Sequence, residues 1–206
     1  IIVHHMLTPK RTWHWVLTWL CVFSTVSLSW AQNYQTTYEL SMPQPQTHYF
    51  HVRMTVRNLQ NSALLPNKEQ LTLKMPVWTP GSYLVREFAK NVDQLTAKSG
   101  TRVLPVRKTN KNTWQIALQG SNEVVIEYDV YAFELSVRTS FIDDSHGYVN
   151  GASVFVYVPQ LVNTPMEVRI KPYEKWSTVS TAMKSIGKWH YEVPDYDLLV
   201  DSPIEI

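Results

Sequence analysis

The sequence predicts an all-β fold, an antiparallel β-sandwich or strongly bent sheet of about ten strands. Three observations predict it. From Asn33 onward apolar residues recur with period two, the mark of strands with one covered face. Turn-forming residues separate these segments at short intervals, and helical periodicity is weak throughout. Composition points the same way: 8 Trp and 11 Tyr stand against 6 Gly in 206 residues, and aromatic side chains suit a pleated, half-buried surface.

The first segment, residues 1–31, reads differently from the rest. Lys10 and Arg11 precede an apolar stretch over 13–26, and Ser27-Leu28-Ser29-Trp30-Ala31 follows, with small residues at the −3 and −1 positions of a cut after Ala31. That order of charge, apolar core and small residues is a secretory signal peptide. The apolar core is shorter than the about 20 residues a membrane span needs, so no span is expected after signal removal. Met6 is the natural start, with residues 1–5 upstream of it. Cys21, the single cysteine, lies in this segment. Residues 32–206 therefore have no thiol chemistry and no disulfide, which suits an oxidising compartment. The chain has 19 basic and 17 acidic residues, and loss of Lys10 and Arg11 equalises them. No basic excess is left for a nucleic-acid partner.

In residues 49–57, Phe50, Val52, Met54 and Val56 alternate with Tyr49, His51, Arg53, Thr55 and Arg57. Residues 70–77 set Leu71, Leu73, Met75 and Val77 against Thr72, Lys74 and Pro76. Residues 113–118 and 124–131 repeat the pattern, the second with Val124, Ile126, Tyr128 and Val130 on one side. The continuous apolar run 153–158 reads as a strand covered on both faces. Residues 166–170 and 176–181 complete the set. Asn58–Asn61, Pro80-Gly81, Ser99-Gly100, Gln119-Gly120-Ser121, Asn150-Gly151, Pro159 and Pro165 mark the turns. Helix is confined to one or two turns in 83–92 and in 195–200. Without a repeat or a low-complexity linker, 32–206 reads as one domain.

The sequence holds none of the common catalytic motifs. There is no His-Glu-x-x-His pair, no Gly-x-Ser-x-Gly elbow, no phosphate-binding glycine loop and no dinucleotide fingerprint. His48 and His51 are three apart, which on a strand sends them to opposite faces. Two loops are rich in functional residue types. One runs from Pro76 to Phe88, where two prolines and a glycine fix a bend before Tyr83, Arg86 and Glu87. The other runs from Arg138 to Gly151 and holds Asp143, Asp144 and His146. The latter group suggests a metal or acid–base site, but the residue pattern favours a solvated loop with Asx turns, because adjacent carboxylates on an extended segment point apart.

Four ordered stretches carry a family resemblance. They are Met75-Pro76-Val77-Trp78-Thr79-Pro80-Gly81-Ser82-Tyr83-Leu84-Val85-Arg86-Glu87-Phe88, Tyr128-Asp129-Val130-Tyr131-Ala132, Tyr148-Val149-Asn150-Gly151-Ala152-Ser153-Val154-Phe155, and the terminal Asp195-Tyr196-Asp197-Leu198-Leu199-Val200-Asp201-Ser202-Pro203-Ile204-Glu205-Ile206. Through them residues 34–206 resemble the N-terminal β domain of the glycyl-aminopeptidase-like zinc metallopeptidases, exported bacterial enzymes that also carry a PDZ domain. The resemblance implies a periplasmic or secreted protein of a Gram-negative bacterium. It implies a following catalytic domain with a His-Glu-x-x-His helix and one zinc, then the PDZ domain. This chain would carry no cofactor and no catalytic residue of its own. Its partners would be its own catalytic and PDZ domains and the peptide substrate of the full protein.

By the same resemblance the two loops face the catalytic domain. Asp143, Asp144 and Asn150 have the residue types that accept hydrogen bonds from a peptide's free amine, and Tyr83 and Arg86 could frame the cleft wall. Trp78, Gly81, Tyr83, Glu87 and Phe88 are candidates for the interface itself. The alternative is a free-standing secreted β-sandwich that binds peptide or carbohydrate. Trp78, Trp114, Trp176 and Trp189 would then be stacking platforms, where the competing role for them is packing.

Overall fold

Strand β2 (Tyr49–Val56) buries Phe50, Val52, Met54 and Val56 and turns Tyr49, His51 and Arg53 outward, as its alternation requires. The computed structural model describes residues 34–79, 81–82 and 84–206. Residues 1–31, expected to be a signal peptide, lie outside the described residues, and so does Tyr83. Residues Tyr34–Ile206 form one compact unit.

Around β2 an eight-stranded sheet is built. Its members are β1 (Thr36–Ser41), β4 (Val92–Ser99), β5 (Arg102–Leu104), β8 (Val124–Tyr131), β11 (Met166–Lys171), β13 (Lys184–Gly187) and β14 (His190–Val193). The order is β13-β14-β11-β1-β2-β8-β4-β5. Every pairing in it is antiparallel except β1 with β11, which run parallel from Thr36↔Met166 to Ser41↔Lys171. A three-stranded sheet is ordered β3-β7-β6, from β3 (Gln70–Lys74), β6 (Val106–Asn110) and β7 (Thr113–Ala117). A four-stranded sheet of very short strands is ordered β12-β15-β10-β9, from β9 (Phe141–Ile142), β10 (Gly147–Val149), β12 (Ser180–Thr181) and β15 (Ile204–Glu205). One apolar cluster takes in the inner face of the large sheet, Leu71, Leu73, Trp114 and Ile116 of the three-stranded sheet, and Val154, Phe155 and Val156. The fold is all-β and sandwich-like.

The outer face of the large sheet is a lattice of cross-strand ion pairs. His51 meets Asp129 at 2.7 Å, Arg53 meets Glu127 at 2.6 Å, and Lys171 meets Glu39 at 2.8 Å. Strand pairing sets the first two, because His51 lies opposite Asp129 and Arg53 opposite Glu127. With these charges matched within the domain, that face suits water.

The run 153–158 is not a strand. A 3-10 helix occupies Gly151–Ser153, and only Tyr157 then bridges to Lys74 of β3. Three buried tyrosines replace the missing ladder. Tyr38 donates its hydroxyl to the Val156 carbonyl at 2.8 Å, and Tyr196 donates to the Phe155 carbonyl at 2.6 Å. Tyr128 donates to the Val154 carbonyl and accepts from the Val156 amide, each at 3.0 Å. Buried backbone groups must be paired, and here side chains do it. The segment is covered on all sides as its composition requires. In 176–181 only Ser180 and Thr181 pair, with β15.

The two helical expectations divide. Tyr196–Val200 forms the α-helix α1, capped by Asp195, whose carboxylate accepts the Leu198 amide at 2.8 Å. Within 83–92, among the described residues, the helical part is a single 3-10 turn, Phe88–Lys90. The turn signal at Gln119-Gly120 is realised as two residues with φ of 50° and 75° under a 2.9 Å bond from the Ser121 amide to the Leu118 carbonyl, the left-handed pair of a type I′ turn.

Candidate functional site

The first loop leaves β3 through Met75, whose amide and carbonyl are both held by Asn112, at 2.9 and 2.8 Å. The chain then folds over at Gly81, where φ is +75° and the Ser82 amide donates to the Thr79 carbonyl at 3.0 Å. Glycine reaches that conformation without a Cβ penalty. The loop is closed by the Arg86 amide on the Val77 carbonyl at 2.5 Å. Trp78, Leu84 and Val85 project outward, Val85 to 70% exposure. Glu87 is paired with Lys111 at 2.5 Å, and this bond holds its carboxyl below the usual range. Phe88, a candidate for the interface, is instead buried in the domain's own core.

The segment leading from β8 into the second loop keeps the strand's alternation past the sheet. Tyr131, Phe133, Leu135 and Val137 are all exposed, Val137 to 76%. The rings form a continuous row: His48 lies 3.8 Å from Phe133, Phe133 stacks on Phe141 at 5.3 Å, and Phe141 meets His146 at 5.2 Å. The loop's base is locked by Ser140, whose hydroxyl lies 2.7 Å from that of Ser153 and accepts the Asn150 amide at 2.9 Å.

Of the sequence candidates here, Asn150 is 9% exposed. Its side chain accepts the Ala152 amide and donates to the Val137 carbonyl, both at 3.2 Å, so it caps the 3-10 helix and braces the loop. Asp143 makes an Asx turn, accepting the Ser145 hydroxyl at 2.6 Å, the Ser145 amide at 2.8 Å and the His146 amide at 3.2 Å. The Ser145 hydroxyl first, and then these amides, hold its carboxyl below the usual range. Asp144 is exposed beside it. Among the described residues no three His, Cys, Asp or Glu side chains gather as a metal site; these residues do not fit a zinc ion.

The two loops meet. A cleft of about 330 Å³ lies between them, lined by Phe88 and Lys90 from one side and by Tyr131, Phe133, Glu134, Ser140 and Ser153 from the other. Asn150 sits behind this cleft through its bond to Ser140. Sequence reasoning did not single out Lys90, Phe133 or Glu134. The legible signal was the unbroken alternation of apolar residues from 131 to 137 beyond the strand. Among the four tryptophans, Trp114 is buried with Lys108 4.8 Å from its ring centre, and Trp176 and Trp189 pack on the core. Trp78 is the exposed one.

With this geometry in place, the family model described as the Peptidase M61 N-terminal domain matches residues 37–206. Among solved structures, an aminopeptidase N family protein from Idiomarina loihiensis is 31% identical over 82% of this chain, with a TM-score of 0.73. This chain spans 29% of that protein's length. A zinc metallopeptidase of the M1 family from Deinococcus radiodurans is a much looser match, 10% identical with a TM-score of 0.47, covering 84% of this chain and 41% of that one. No curated protein matches. By its match over residues 37–206, the chain belongs to the Peptidase M61 N-terminal domain family.

Proposed function

We propose that this chain is the non-catalytic N-terminal domain of an exported zinc metallopeptidase of aminopeptidase type, docking on the catalytic domain and helping to wall its peptide cleft. The observation that carries the docking is the exposed apolar row Tyr131, Phe133, Leu135 and Val137, whose first two members line the cleft between the loops, with Leu84 and Val85 also exposed on the first loop. Contiguous apolar surface of this kind marks a contact with another body, and interfaces between domains of one chain bury about 600–1,500 Å². The signal-peptide pattern of residues 1–31 supports export. Zinc and its base belong to the catalytic domain, where a bound water and an open coordination position would be supplied.

The test has two arms. Purified 32–206 should bind no stoichiometric zinc and cleave no glycyl or alanyl amide; chelator-sensitive cleavage by it would overturn the reading. In the full-length peptidase, Leu135→Glu with Val137→Glu should expose the connection between the domains to limited proteolysis and leave the melting of 34–206 unchanged. Unaltered protection would remove the docking role and favour a free-standing binding module.

A further inference from the structure

A second concavity lies between the first loop and the β6–β7 hairpin. It is a groove of about 600 Å³ whose lining includes Val77, Val85 and Arg86 on the loop side and Lys108 and Lys111 on the hairpin side. Lys90 adds a fourth cation, and Glu87 is the one carboxylate in the lining. Glu87 is already engaged by Lys111. Lys108 is steadied by the Ala89 carbonyl at 3.3 Å and by the Trp114 ring, neither of which cancels its charge. Arg86 is the anomaly: the side chain lines the groove half-buried, and its buried Nε has no hydrogen-bond partner among the described residues. Its guanidinium meets no carboxylate among the described residues, so the positive charge is left for a partner outside the domain.

We propose that this groove seats a carboxylate-bearing, apolar-flanked segment of the adjoining catalytic domain, with Arg86 as the anchor. This rests on the docking reading above and adds the chemistry of the contact. A guanidinium takes a carboxylate end-on through its two terminal nitrogens, a two-bond geometry that lysine cannot reproduce. The excess of cations favours an acidic occupant, and Val77 with the exposed Val85 gives its apolar flank a wall. The groove is too large and too apolar on one side for a small inorganic anion alone.

The experiment is calorimetric titration of residues 34–206, whose core is self-contained, with the separately produced catalytic domain of the same protein. Arg86→Gln should weaken binding by about tenfold or more, because a charge-assisted bidentate contact is lost, and Arg86→Lys should not restore it. Raising salt from about 50 to about 500 mM should weaken the parent domain more than the Arg86→Gln variant. Lys111→Glu, at the exposed rim, should weaken binding several-fold and guards against a folding defect at Arg86. If the parent binds and none of these changes matters, the groove contact is overturned and docking stands. If the parent does not bind at all, the docking reading fails and this one with it. Displacement of the catalytic domain by millimolar sulfate with no dependence on Arg86 would also overturn it.

Discussion

Tyr128 shows how much one side chain decides in this molecule. Its hydroxyl both donates to Val154 and accepts from Val156, so Tyr128→Phe leaves a buried carbonyl and a buried amide unpaired. A loss of about 1–3 kcal/mol is expected in denaturant unfolding, more than for Tyr38→Phe, which orphans one carbonyl. Burial pushes the phenols of Tyr38, Tyr128 and Tyr196 well above the usual tyrosine range. A group whose folded pKa is raised stabilises fully below its unfolded value and loses that contribution as pH rises beyond it. Stability should therefore fall above about pH 10, and a Tyr38→Phe, Tyr128→Phe double variant, though less stable at pH 7, should show a flatter alkaline slope. Asp143 works in the opposite direction. Its carboxyl is depressed, chiefly by the Ser145 hydroxyl, so its contribution is present above the ordinary carboxylate range near about pH 4 and vanishes as pH falls through its folded value. Asp143→Asn should be less stable than the parent at pH 7 and converge with it in acid, as read by melting temperature.

At the scale of elements, the 3-10 helix Gly151–Ser153 lies hard against α1. A Cβ on Gly151 would lie 2.8 Å from the Val200 Cα and 3.0 Å from the Leu199 carbonyl oxygen. Both are backbone atoms that cannot swing aside, so Gly151→Ala should cost about 1–3 kcal/mol and loosen the loop held by Asn150 and Ser140. Asp195→Ala removes the N-cap of α1 and should cost about 1 kcal/mol; urea unfolding of both variants checks these values. Elements were legible where one face is buried. Strands β2, β3, β7 and β8 alternate in burial and in sequence alike. Among the described residues there are fifteen strands where about ten were expected. Strand β13 has no buried residue at all, and β6 is exposed except for the half-buried Val106, so neither has an apolar face to print a period. Strands of two residues such as β9, β12 and β15 are too short to show one. The run 153–158 misled for the converse reason: uniform burial fixes that a segment is inside and says nothing about what pairs its backbone.

For the whole molecule, one apolar cluster within Tyr34–Ile206 unites three sheets, so the segment has the core a domain needs. Under the proposed export, N-terminal sequencing of the mature protein should begin at Gln32, after the small residues at Ser29 and Ala31; retention of residues 1–31 would refute that cleavage. The sequence by itself determined the all-β class, the alternating core strands, the short helix within 195–200 and the family to which the chain belongs. All are local patterns or ordered stretches, which survive without knowledge of what lies opposite. Only the tertiary structure decided that Asn150 is a brace, that Phe88 is core, that Glu87 belongs to Lys111, and that the two loops meet around a cleft. It alone showed Arg86 with a buried donor that has no partner among the described residues. Each of these depends on groups distant in sequence converging in space, and period and composition carry no record of such convergence.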